Sequence, residues 1–166
     1  MTSDPIRVLP RKLSSTHIAL VISLASLVFT AYSVRSERRE SEMQLWVNLR
    51  QEFNYSLVKE RIACGKAYKD GTLDLEYSRV MDFFETVGFL VQSGRMRDDL
   101  FKETWGYYFS GYFQATKGFL QQDRAIDKTS YEGVFYLENH FGPDPTLRTP
   151  ADLRSFFDDE QHIPNR

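Results

Sequence analysis

"VMDFFETVGFLVQSGRMRDDLF", residues 80–101, reads as one helix, a glycine stop and the start of a second helix. Val80, Phe84, Val87 and Val91 recur at helical spacing, and Gly94 is suited to the left-handed residue that ends a helix. Asp98 and Asp99 then supply the acids favoured in a first helical turn. Leu73 and Tyr77 extend the apolar stripe backwards, with Gly71 as the preceding break. A helix is therefore predicted from a Thr72 or Asp74 cap to Gln92 or Ser93. Phe83 and Leu90 widen the stripe on one side, Met81 and Gly88 on the other. Glu85 falls about 120° from its centre. That position predicts a boundary carboxylate reaching solvent or a neighbouring basic side chain.

Beyond the glycine stop, Phe101, Trp105, Tyr108, Tyr112, Ala115 and Phe119 form the main stripe of the next helix, flanked by Phe109 and Phe113. Gly111, Ala115 and Gly118 make a second line of small residues that would let another helix backbone approach. Residues 122–130, "QDRAIDKTS", read as a polar link, and "YEGVFYLENHF" as a short amphipathic segment capped by Ser130. Thr149, Pro150 and Asp152 have the spacing of a capping box and announce a last helix, "PADLRSFFDDEQ", docked by Phe156 and Phe157. A frayed tail is expected at 161–166.

Upstream, Trp46, Leu49, Phe53, Leu57, Arg61, Cys64 and Tyr68 recur about every 3.7 residues, with no glycine or proline between 35 and Gly65. One helix over 35–69 is expected, packing within the chain. A dimeric coiled coil would need a stricter 3.5-residue repeat, which Ser56 and Glu60 interrupt, so oligomerisation is secondary. Cys64 on this face reads as an inert buried thiol.

Residues 13–34, "LSSTHIALVISLASLVFTAYSV", contain no charged side chain. As a helix they would reach roughly 33 Å, against a hydrocarbon core of about 30 Å. The run is apolar around its circumference, which disfavours a buried soluble helix. A membrane-spanning helix is expected here, after a basic tail at 1–12 and before a helical domain at 35–160. A cleaved signal peptide ending near Ala31-Tyr32-Ser33 is the competing reading. Three Lys or Arg precede the run and four follow it within twenty residues, a margin of one towards a cytoplasmic C-terminal domain.

The chain has 166 residues, a formal net charge of −2 and a single cysteine. It shows no concentrated basic surface for a phosphate backbone, so nucleic acid is not an expected partner. One cysteine excludes an intramolecular disulfide framework and a thiolate zinc cluster. Thirteen Phe and nine Tyr predict a core built largely from rings, and the aromatic row of the third helix reads as core rather than a stacking platform. Glu138, His140, Asp158 and His162 match no recognised ligand spacing, and no phosphate-loop, dinucleotide, nucleophile-elbow or zinc-protease motif occurs. No cofactor, metal or catalytic residue is assigned.

Residues 80–120 resemble a bacterial family, domain-of-unknown-function family 4760. The likeness lies in the Phe83-Phe84-Glu85 triplet, the following Gly88, and a glycine-to-aspartate joint, here Gly94-Arg95-Met96-Arg97-Asp98, one residue longer than the family's pattern. Leu100, Phe101 and an aromatic helix follow. The resemblance implies a bacterial membrane-anchored helical domain and carries no activity over. It draws attention to Glu85 and Gly88.

The expected architecture is all-α: one transmembrane helix, then a bundle of three main helices and one or two short C-terminal ones. The expected role is a single-pass inner-membrane interaction or scaffolding module, or an accessory subunit of a membrane-associated assembly. It would be tied to the lipid bilayer through 13–34 and bind a protein partner. The runner-up is a membrane-tethered enzyme or small-ligand sensor with a pocket near Glu85 and Trp105. Tyr108 and Tyr112 are the remaining candidate pocket or interaction positions.

Overall fold

A computed structural model describes residues 15–72 and 77–163. The described elements are α1 (Ser15–Gln51), a π-helical turn (Glu52–Ser56), α2 (Val58–Asp70), α3 (Ser78–Gln92), α4 (Asp98–Ile126), α5 (Glu132–Phe141) and α6 (Pro150–Gln161). The chain divides into two units, residues 1–43 and 44–166. The expected caps Thr72 and Asp74 do not begin α3, which starts at Ser78; Asp74 and Leu73 lie outside the described residues, as do 164–166 of the expected tail.

In the first unit, Leu20, Leu24, Leu27, Val28, Phe29 and Tyr32 are exposed. The expected span over 13–34 lies partly outside the described residues. Among those that are described, no helix is long and apolar enough to cross a membrane. The described part of the run is also not apolar all round. At 100° per residue, Ser23, Ser26, Thr30 and Ser33 share one side of the helix. Thr30 turns its hydroxyl back to the Ser26 carbonyl, 2.8 Å away.

In the second unit α2 packs along α6 and α3 along α5, while α4 touches α3, α5 and α6. The expected α3 stripe is the buried one: Tyr77, Val80, Phe84, Val87 and Val91 are all core. On α4 the core face runs through Phe101, Trp105, Phe109, Tyr112, Phe113 and Leu120. Rings meet edge to face, as at Phe84 and Phe109 (5.3 Å) and Phe83 and Trp105 (5.8 Å), an arrangement the aromatic quadrupole favours. Gly94 closes α3 with φ 68°, and the amides of Arg95 and Met96 both reach the Leu90 carbonyl. The α6 box forms as read: Thr149 Oγ1 accepts from the Asp152 amide, and the Asp152 carboxylate accepts from that of Thr149.

Four expectations are corrected. The helix over 35–69 is not continuous: Leu57 donates to the carbonyl of Glu52, five residues back, and α2 starts afresh. α4 runs through the expected polar link as far as Ile126. Ser130 does not cap α5; the N-cap position is Tyr131 at φ 56°, with no side-chain cap of its own. The small-residue line on α4 admits no helix backbone along its length. A Cβ on Gly111 would meet the Phe156 ring at 2.7 Å, whereas one on Gly118 would meet nothing within 4 Å.

Candidate functional site

The π turn has a local cause. Widening the turn to a five-residue hydrogen bond frees the Phe53 carbonyl, and Arg61 Nη1, one helical turn into α2, donates to it at 3.1 Å. Arg61 therefore belongs on the apolar stripe that its spacing assigned it to, and it is 3% exposed. Its guanidinium sits 4.1 Å from the Phe53 ring centroid and 5.1 Å from that of Tyr108.

A buried cation requires a paired anion. Glu160 on α6 is that partner, also 3% exposed. Arg61 Nε donates to Glu160 Oε2 at 2.7 Å and Nη2 to Oε1 at 2.6 Å, a bidentate fork. Tyr112 on α4 donates its hydroxyl to the same Oε2. Three helices thus converge on one carboxylate. Burial, and then the charge of Glu160, push the Tyr112 hydroxyl well above its ordinary range, so it stays protonated and acts as a donor. Burial opposes the charge of Arg61, but Glu160 more than offsets this and raises its pKa.

Arg61 and Glu160 of this network form the floor of an open cleft of about 580 Å³, with Tyr112 behind them. Asn54 and Tyr55 of the π turn form one wall, Val58 and Lys59 of α2 the next, and Tyr107, Tyr108 and Phe156 the aromatic side. Asp159, His162 and Ile163 complete the rim. The arrangement combines a rigid charged floor, ring faces and a volume typical of small-molecule sites.

The residues singled out from sequence divide between this site and the core. Tyr112 and Tyr108 belong to the network and its wall. Trp105, 1% exposed, packs on Phe83 inside the bundle. Glu85 borders a shallow hollow lined by Asp82, Asp123, Asp127 and Tyr131, which does not include Trp105. The expected pocket joining Glu85 to Trp105 is thus replaced by the cleft over Arg61. Glu85 is half-exposed and has no basic partner among the described residues; its Oε2 accepts from the Val134 amide at 2.9 Å, in the first turn of α5. It supplies across the α3–α5 contact the acceptor that Ser130 was expected to give, where the helix dipole favours a negative charge. Gly88 sits at the same contact, facing Gly133.

Replacing Glu85 with alanine should cost about 1–2 kcal/mol, and with glutamine about half as much, because the amide keeps an acceptor but not the charge. Urea unfolding measures both. Two neutral variants would remove Glu85 from this capping role.

The four residues considered for metal binding do not converge as a group. Glu138 pairs with Lys117, His140 with Asp98 at 2.7 Å, Asp158 with Lys69, and His162 Nδ1 lies 2.7 Å from the Asp158 carbonyl. Among the described residues no group of three or more His, Cys, Asp or Glu is placed to hold a metal ion. Sequence reading missed Glu160, although Leu153, Phe156, Phe157 and Glu160 share one face at helical spacing. That pattern, matched with the buried Arg61, was the available signal. No protein-family model, curated protein or solved structure matches this chain.

Proposed function

We propose that this chain is a lipid-tethered helical interaction module, held at a bilayer by the N-terminal part of α1 and presenting its C-terminal bundle to a protein partner. The observation that carries the reading is the exposure of large apolar side chains along the N-terminal part of α1, from 55% at Val34 to 71% at Tyr32. On the helical wheel Leu20, Leu24, Leu27, Val28, Phe29, Tyr32 and Val34 spread over about 220°. That is wider than the narrow seam a coiled-coil partner would cover. The remaining sector carries hydroxyls, and Thr30 satisfies its own internally. A hydroxyl bonded to its own helix tolerates a hydrocarbon surrounding, where an unmet donor costs several kcal/mol. Arg35, Arg38 and Arg39 follow at once, suited to a headgroup layer. With Arg50 they make four basic residues after the run against three before it, which favours a bundle on the cytoplasmic side of a bacterial inner membrane.

On the bundle, Tyr55, Phe89 and Tyr107 are exposed rings that a partner can cover. Flotation of the full chain with phosphatidylcholine vesicles tests the tether. The wild-type chain should rise with the vesicles. Leu24→Asp with Val28→Asp should cut the bound fraction at least about tenfold, since each buried acid costs a few kcal/mol. A wild-type chain that stays in the dense fraction would end the reading.

A further inference from the structure

We propose that the cleft over Arg61 is a binding site for a small, uncharged, planar aromatic molecule bearing a carbonyl acceptor. This goes beyond the tethering role and does not depend on it. Shape comes first. A cleft of about 580 Å³ between the π turn, α2, α4 and α6 is large enough for a substituted ring or a small fused system. Its aromatic side consists of Tyr107, Tyr108 and Phe156, with Tyr55 facing from the π turn. Tyr107 is 41% exposed and Tyr55 67%, so part of each ring is open to a ligand, although Tyr107 also meets Phe156 edge to face at 5.5 Å. Aromatic ring surfaces favour flat partners.

Charge then selects among flat ligands. The lining carries two fixed cations, Lys59 and Arg61, and two carboxylates, Asp159 and Glu160. The buried pair among them is already neutralised by its own bidentate contact. An anion entering the floor would meet Glu160, and a cation would meet Arg61. Either would lose hydration there with no uncompensated opposite charge beside it, because Lys59 and Asp159 are exposed residues that water already screens. A neutral ligand suffers neither penalty.

Hydrogen bonding sets the remaining feature. A guanidinium has five N–H donors. Arg61 spends three, two on Glu160 and one on the Phe53 carbonyl. The other two, one on each terminal nitrogen, sit on a residue that lines the cleft, and the acceptor that suits them is a carbonyl oxygen. The π turn ties the site to the fold, because the contact that holds Phe53 also fixes the guanidinium between the rings. Such turns recur where a helix is deformed to build a site.

Benzamide, benzoate and benzylammonium share one ring and differ in charge, which makes them suitable probes. Each would be titrated into the full chain in solution, with its tyrosine rings 13C-labelled, and followed by NMR. Benzamide should shift the signals of Tyr55, Tyr107 and Tyr108 and leave the other tyrosines in place. Benzoate and benzylammonium should each bind at least about fivefold more weakly. Tyr107→Ala, at a half-exposed position, should weaken benzamide about fivefold while the unfolding midpoint stays put. The proposal is overturned if benzamide shifts none of these three signals or shifts all nine tyrosines alike. A charged probe that binds as tightly as benzamide, or a Tyr107→Ala variant of unchanged affinity, overturns it as well.

Discussion

Removing Glu160 while keeping Arg61 should destabilise the bundle by about 3–5 kcal/mol, because it leaves a cation that is only 3% exposed without its anion. For a unit of this size that corresponds to a fall in unfolding temperature of roughly 10–20 °C. Glu160→Ala followed by circular dichroism on heating measures it. The partner change, Arg61→Met, should cost a similar amount for two reasons. It leaves Glu160 unpaired except for the Tyr112 hydroxyl, and it orphans the Phe53 carbonyl in the π turn. The informative variant is the double one, Arg61→Met with Glu160→Leu. Replacing a buried pair with apolar groups is often close to neutral, so most of the loss should return. It should not return in full. The Phe53 carbonyl and the Tyr112 hydroxyl would each still lack a partner, at about 1–3 kcal/mol apiece. Adding Tyr112→Phe should recover the second of these and leave the first. If Glu160→Ala falls within 1 kcal/mol of wild type, the network is not what joins α2, α4 and α6.

Local features of this fold were legible because their causes are local. The Thr149-Pro150-Asp152 box, the Gly94 stop and the α3 stripe each depend on residues within a turn or two of one another. Arg61 was half legible. Its spacing placed it among buried residues, which for a guanidinium demands a carboxylate, but Glu160 lies 99 residues away. In sequence "FFDDEQ" reads as a solvated acidic end, and only the period through Phe156 and Phe157 distinguishes Glu160 from its neighbours. The π turn carried no signal of its own, since neither Gly nor Pro marks it. Its cause, the hydrogen bond from Arg61 to the Phe53 carbonyl eight residues back, is local, but a period of apolar residues does not say which carbonyl a side chain will reach. Glu85 shows the same limit. Its angle on the wheel was right, yet the group it serves is the start of another helix 49 residues on.

Gly88 is where a single added methyl should have the second large effect. A Cβ there would lie 2.3 Å from the Gly133 carbonyl oxygen, 2.4 Å from its carbon and 2.8 Å from its Cα. All three are backbone atoms, so no side chain can rotate away and α3 and α5 must separate. The contact is mutual, since a Cβ on Gly133 would come within 2.5 Å of the Glu85 carbonyl oxygen. Separation also pulls the Val134 amide off the Glu85 carboxylate and loosens Val134 and Leu137, both at 0% exposure in the core. Overpacking of this kind costs about 1–3 kcal/mol or more. Against it stands the gain of roughly 1 kcal/mol that alanine has over glycine inside a helix. Gly118→Ala isolates that gain. It sits in α4, also in a helix interior, and its new methyl would meet nothing within 4 Å. Urea unfolding should therefore move the two variants in opposite directions, Gly118→Ala to a higher midpoint and Gly88→Ala to a lower one. The gap between them measures the α3–α5 contact with helix propensity cancelled. If both midpoints rise together, the two helices do not pack backbone to backbone at Gly88, and the special status of that glycine disappears.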